Sequence, residues 1–247
     1  MNEKEYILIT GSSSGMGEEM ALQLSRDYNI ILNGRDEERL EAVFGRLSEG
    51  NHLVWRYDLA CVEVIEDSLQ ALLKDKGITV SLFVHSAGFM KMYPVKMLTA
   101  ELFSDSFNIN VVSAALITKT LVGRKNQKAL RSAVFISSNI SNFGARAFSV
   151  YSSAKSGLDG LMRSLAMELA PEVRINSVLP GGVRTRMTEY LYEDEELINR
   201  MAATYPLGLG NVSDVYHVVR FLLSDEARWI TGQQITVDGG RTVNVTG

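Results

Sequence analysis

The sequence predicts an α/β fold, a doubly wound parallel sheet of about seven strands with helices on both faces. Three observations predict it. Short apolar runs alternate with longer segments of helical spacing along the whole chain, no linker, repeat or low-complexity tract divides it, and the first apolar run ends in a glycine-rich turn that opens a helix.

The strand signals fall at residues 6–10, 30–33, 53–57, 81–85, 133–137, 175–179 and 234–237. Apolar runs this short suit buried strands better than buried helices. Between them, helical spacing predicts helices over 18–27, 37–47, 62–76, 100–122, 150–170 and 213–223. Strict alternation implies parallel pairing, because right-handed crossovers lay the helices on both faces of one sheet. Residues 1–247 therefore read as one domain, and since ligands of such sheets bind beyond the carboxyl ends of the strands, functional residues are expected just after them.

Composition narrows the function. With 46% hydrophobic residues, 22% charged residues and a net charge of −4, the chain can bury a sizeable core, and its scattered Lys and Arg residues form no basic face for nucleic acid or an anionic membrane. A small-molecule partner is expected. The lone cysteine, Cys61, leaves no internal disulfide and no thiolate metal cluster, so no metal is expected and the cytoplasm is the expected compartment. The start, Met1 to Tyr6, is charged and reads as neither a signal peptide nor a membrane span.

After the first strand comes Thr10-Gly11-Ser12-Ser13-Ser14-Gly15-Met16-Gly17. Gly11 permits the tight turn, Gly15 lets backbone approach a pyrophosphate, and Gly17 permits close packing of helix on strand. Ser13, Ser14 and Met16 lie between them, at a helix N-terminus whose free N–H groups suit an anion. This spacing resembles that of short-chain dehydrogenases/reductases, a family of NAD(P)-binding Rossmann-type enzymes, and is not the tighter fingerprint of larger dinucleotide enzymes.

The resemblance continues at the strand ends. The second closes on Asn33-Gly34-Arg35-Asp36, where such folds distinguish a ribose 2′-hydroxyl from a 2′-phosphate. Gly34 offers no carboxylate and Arg35 offers planar donors, so NADP(H) is favoured over NAD(H). Asp36 keeps NAD(H) open, and Arg35 and Asp36 also read as a surface turn and a helix N-cap. Asp58, with Leu59 beside it, matches the family's aspartate near the adenine ring, and Ala87-Gly88 match its Asn-Ala-Gly motif. Here the chain departs from the pattern: Ser86 stands where the family has asparagine, preceded by His85, which reads first as a hydrogen-bonded structural group.

Tyr151 and Lys155 lie four residues apart in a helical segment, hence on one face. A free phenol, with a pKa of about 10, needs a nearby positive charge to act as a base at neutral pH, and Lys155 can supply it. The resemblance implies that Tyr151 exchanges a proton with the substrate oxygen, that Ser138 hydrogen-bonds that oxygen, and that Asn110 holds a water leading to Lys155. Ser137 and Ser138 also read as strand-end caps, and Asn110 as an interruption of a buried helix. After the sixth strand, Pro180, Gly181, Val183 and Thr185 match the segment closing over the nicotinamide, with Thr185 at its carboxamide. The segments 230–233 and 237–240 resemble the family's C-terminal signature, which implies a homo-oligomer, a dimer or a homotetramer.

Residues 186–207 match the family's substrate lid. Its apolar members, with Phe89, Met90, Phe143 and Phe148, imply a moderately apolar pocket, although helix packing beside a solvated acidic face, Glu193 to Glu196, explains them equally well. The expected activity is NADP(H)-dependent interconversion of a ketone and a secondary alcohol, similar to that of 3-oxoacyl-[acyl-carrier-protein] reductases. An acyl carrier protein lacks support as a partner: Arg124, Lys125, Lys128 and Arg131 offer a basic strip, but Pro171-Glu172 sit where such reductases tend to be basic. An NAD-dependent sugar, steroid or polyol dehydrogenase stays open, as does a non-catalytic dinucleotide sensor.

Overall fold

The computed structural model describes residues 4–185, 188–189 and 194–243. Its strands are β1 (Tyr6–Thr10), β2 (Asn29–Gly34), β3 (Leu53–Arg56), β4 (Val80–His85), β5 (Ser132–Ile136), β6 (Arg174–Pro180) and β7 (Gln234–Val237). They form one seven-stranded sheet in the order β3-β2-β1-β4-β5-β6-β7. Every pairing between neighbours is parallel. Between β1 and β4 the winding reverses, which opens a crevice at their carboxyl ends.

The helices are α1 (Gly15–Leu24), α2 (Glu37–Phe44), α3 (Ile65–Lys76), α4 (Ala100–Phe107), α5 (Ser113–Val122), α6 (Ser149–Leu169), α7 (Glu195–Ala203) and α8 (Val212–Leu223). Alternation along each strand splits the core into two layers. Ile7, Ile9, Leu32 and Val134 meet Met20 and Leu24 of α1, Leu40 of α2 and Val219 of α8 on one face. On the other, Leu8, Phe83 and Phe135 meet Leu69 of α3, Ile117 of α5 and Leu158 and Met162 of α6. Phe83 and Phe135 are fully buried, each contributing roughly 1.5–3 kcal/mol from area removed from water.

One expectation needs correction. The segment 100–122, which reads as a single helix, is α4 and α5 joined by a π-helical turn, Asn108–Val112, with the Ser113 N–H reaching back to the Asn108 carbonyl. The composition Asn-Ile-Asn-Val-Val explains why the α-helix yields here, since asparagine competes for backbone groups and β-branched residues crowd the preceding turn. Smaller shifts occur elsewhere. The first helix begins at Gly15, earlier than expected, and Val62–Val64 is a 3₁₀ turn leading into α3. Asp36 is the N-cap that its residue type suggests, accepting from the Arg39 N–H at 3.2 Å.

Candidate active site

The crevice holds a cavity of about 630 Å³. One wall is the turn between β1 and α1, where Gly11 and Gly15 take left-handed φ values of +64° and +59°. A Cβ on Gly11 would lie 2.7 Å from the Ala87 Cα, and one on Gly17 would lie 2.4 Å from the Gly11 carbonyl oxygen, so glycine alone permits these approaches. Ser14 occupies the N-cap of α1 without a side-chain cap, leaving the first-turn N–H groups directed at the cavity. These are features a pyrophosphate requires, and the residues present fit one.

Of the residues expected to bind a dinucleotide, Gly11, Ser13, Ser14, Gly15, Met16, Gly17, Arg35, Asp58, Leu59, Ala87, Gly88 and Thr185 line the cavity. Tyr151 and Lys155, expected to touch the dinucleotide as well, and Pro180, Gly181 and Val183 are not among its lining. Gly181 packs against Asp238, Val183 bridges to Gly210, and Thr185 alone of that segment closes on Gly15. Asn33, Gly34, Ser86 and Phe89, read in the sequence for other reasons, also line it, as do Tyr57, Ala60, Asp105 and Ile109, which the sequence did not single out. A signal was present for some of them: Tyr57 and Ala60 flank Asp58-Leu59, and Asp105 lies one helical turn before Ile109. Gly34 has a structural reason besides its missing carboxylate, because a Cβ there would press within 3.2 Å of the Ser13 hydroxyl. Ser12 ties the same turn to β2, accepting from the Asn33 N–H at 2.9 Å. At the rim, Arg35 faces Asp58 at 3.6 Å, with 73% of the arginine side chain exposed.

The second group of residues meets where α6, β5 and the π turn converge. Tyr151 and Lys155 share a face of α6, and the Lys155 Nζ lies 5.8 Å from the Tyr151 ring centroid. Lys155 is buried and donates to the Ile136 carbonyl at 2.8 Å. Ser138, just past β5, caps a 3₁₀ turn by accepting from the Ile140 N–H at 3.3 Å, and its hydroxyl hydrogen-bonds Tyr151. Asn110 sits in the π turn, donating to the Ser106 carbonyl at 2.9 Å, while its buried Oδ1 has no hydrogen-bond partner. A Cβ on Gly88 would lie 2.6 Å from that Oδ1 and 3.2 Å from the Lys155 Nζ, so the Gly88 backbone, the amide oxygen and the ammonium meet at one point.

Burial acts on this pair in opposite directions. It pushes the Tyr151 phenol up to about 12, against the hydrogen bond from Ser138, because a phenolate is poorly solvated there. It pulls Lys155 down to about 8, against the favourable charge of Asp159 one turn along α6. His85 is neutral, held down to about 3 by its complete burial and next by the charge of Lys155. Phe148 packs edge-on to Tyr151 at 6.3 Å, and Phe143 is about half-exposed. Of the expected lid, Arg186, Met187 and 190–193 lie outside the described residues, whereas Glu195 and Glu196 begin α7. Among the described residues there is no group of three or more His, Cys, Asp or Glu suited to a metal, and no helix long and apolar enough to cross a membrane.

Residues 11–242 match the family model described as enoyl-(acyl carrier protein) reductase. The chain is 33% identical to the 3-oxoacyl-[acyl-carrier-protein] reductase of Mus musculus over 240 residues, covering 96% of this chain and 98% of that one. The chain belongs to the short-chain dehydrogenase/reductase family. Its members are oxidoreductases that act on CH–OH and carbonyl groups with nicotinamide cofactors, and this chain is one of these enzymes. The family member glucose 1-dehydrogenase of Gluconobacter oxydans (strain 621H) is 26% identical over 244 residues, with 96% of this chain and 91% of that one covered. Among solved structures, a short-chain type dehydrogenase/reductase from Mycobacterium ulcerans superposes with a TM-score of 0.89 at 29% identity, covering 98% of this chain and 91% of that one.

Proposed function

We propose that this short-chain dehydrogenase/reductase reduces a ketone to a secondary alcohol with NADPH, using Tyr151 as the proton donor. The observation that carries the reading is the convergence of Tyr151, Ser138, Lys155 and Asn110 beside Gly88, which lines the crevice cavity. A bound reduced nicotinamide supplies hydride to the carbonyl carbon. Ser138 hydrogen-bonds the carbonyl oxygen, the Tyr151 hydroxyl gives that oxygen its proton, and the Lys155 ammonium offsets the charge left on the phenolate. Asn110 presents a buried Oδ1 without a hydrogen-bond partner near Lys155, an acceptor open to a water that leads to the ammonium.

Preference for NADP(H) rests on Arg35 at the cavity rim and on Gly34, which places no carboxylate against a 2′-phosphate. The Arg35–Asp58 pair favours NAD(H) as the second reading, because it engages the guanidinium that a phosphate would need. Phe148 against Tyr151 and Phe89 in the cavity wall suit an apolar ketone or a 3-oxoacyl thioester better than a polyol, and a carrier protein is not required for that chemistry. A reducing compartment such as the cytoplasm fits the single, exposed Cys61, and self-association fits the 95% exposure of Trp229.

The deciding experiment compares the wild type with Tyr151→Phe. NADPH and NADH binding are followed by fluorescence and turnover by absorbance over a ketone panel. Turnover lost with binding retained is expected. Equal turnover in both proteins would remove Tyr151 from the chemistry, and tight binding with no turnover on any ketone would favour a sensor.

A further inference from the structure

His85 is fully buried at the carboxyl end of β4, packed against the rings of Phe83 and Phe135, whose centroids lie 6.0 and 6.1 Å away. It pairs in register with Thr10 at the end of β1, and the Thr10 Oγ1 approaches its Nδ1 at 3.0 Å. That hydroxyl also accepts from the Ser86 N–H at 3.1 Å and the Ala87 N–H at 3.2 Å. A hydroxyl has one hydrogen and two acceptor sites. Both acceptor sites are taken, so its hydrogen must go to Nδ1, and the neutral ring must then carry its own hydrogen on Nε2. Nε2 is buried without a hydrogen-bond partner, and the backbone carbonyls of Asn110 and Ile109 act on the ring as acceptors, favouring its protonated form. Those carbonyls belong to the π turn, where the backbone pairing of an α-helix is broken and the Ser113 hydroxyl already reaches the Ile109 oxygen at 2.6 Å.

We propose that His85 is a positioning residue which, as its neutral Nε2–H tautomer, spans from Thr10 to the π turn and holds Asn110 at its meeting point with Gly88 and Lys155. The link joins both strands of the crevice to the helix turn opposite them. It also compensates for Ser86, whose short side chain cannot make the cross-strand contacts of the asparagine usual there. The inference rests on the reading of Asn110 and Lys155 as parts of the reacting site.

Three variants separate the two ends of the ring. In His85→Gln the amide N–H reaches the place of Nε2. In His85→Asn it reaches only the place of Nδ1, and His85→Phe fills the aromatic slot with no polar atom. The expected result is a fall in kcat on the order of tenfold or more in the Asn and Phe variants, substantial recovery in the Gln variant, and KM for NADPH unchanged throughout. Recovery by Asn and not by Gln would overturn the proposal, leaving only a link to Thr10. Undiminished kcat in His85→Phe would also overturn it. Nitrogen-15 NMR of the ring gives a readout free of activity: a protonated Nε2 with a bare Nδ1 is expected, and a proton on Nδ1 refutes the tautomer. If Tyr151→Phe keeps full turnover, the reading of the site has failed. If that variant is inactive while His85→Phe is fully active, this inference alone has failed.

Discussion

Asp159 should set how far into alkaline pH the enzyme works. The carboxylate is buried one helical turn beyond Lys155, accepts from the Ser137 hydroxyl at 2.9 Å through Oδ2, and has no hydrogen-bond partner at Oδ1. Residues one turn apart stand roughly 6 Å from each other. At that distance, an effective dielectric constant of about 20 gives about 2.8 kcal/mol between unit charges, or about two powers of ten in the Lys155 dissociation constant. Asp159→Asn keeps the shape and the bond from Ser137 while removing the charge. Reduction requires a protonated Tyr151 and a charged Lys155. As pH rises Lys155 is lost first, since it titrates at about 8 and Tyr151 at about 12. The wild-type alkaline limb of kcat/KM is therefore expected near pH 8, and in Asp159→Asn it should move down by about two pH units. Ser137→Ala removes the hydrogen bond and leaves the charge, so its limb should move much less. A folded Asp159→Asn protein with an unmoved limb would refute the electrostatic reasoning.

Gly17→Ala drives a methyl group to 2.4 Å from the Gly11 carbonyl oxygen; a loss of about 1–3 kcal/mol in urea unfolding, with NADPH binding weakened on the order of tenfold, is expected by denaturation and fluorescence titration. Arg35→Ala should weaken NADPH binding by about tenfold or more, the loss of a charged hydrogen bond, while NADH binding changes little. Equal losses for both would transfer the preference to other residues. Phe135→Ala empties a fully buried site between the sheet and α6. It should cost about 3–5 kcal/mol, read as a lower urea midpoint with an unchanged slope.

The sheet was legible because its inner strands are almost wholly buried: runs such as Ile30-Ile31-Leu32 have no polar face, the pattern of parallel strands covered on both sides. The turn at Gly11, Gly15 and Gly17 was legible because backbone approach leaves glycine as the only choice. Tyr151 and Lys155 were legible from helical spacing, and Ser138 and Asn110 through the family resemblance. The π turn was not, since local composition disfavours an α-helix without saying which alternative replaces it. Asp105 and Ile109, one helical turn apart, share the face that meets the cavity, but nothing in the sequence said which face of that helix would do so. The linkage of His85 was hidden for another reason: it depends on which hydroxyl faces which ring nitrogen across two strands distant in sequence. The partial charging of Lys155 likewise depends on burial, which the spacing of residues does not give.

The π turn amounts to one residue more than an α-helix needs between α4 and α5. Deleting a residue there would let the two helices fuse into one continuous cylinder with a regular hydrogen-bond ladder. It would also rotate everything on one side of the cut by about 100° relative to the other. Ser106, which anchors the Asn110 amide, and Ser113, which engages the Ile109 carbonyl, could then no longer act on the same turn. Homologous chains compared by length alone would hide this, because a one-residue gap inside a helix looks trivial in an alignment. The buried face of α5, with Ala114, Ile117 and Leu121, would turn away from the core at the same time, so one extra residue sets both how α5 packs and where one amide points.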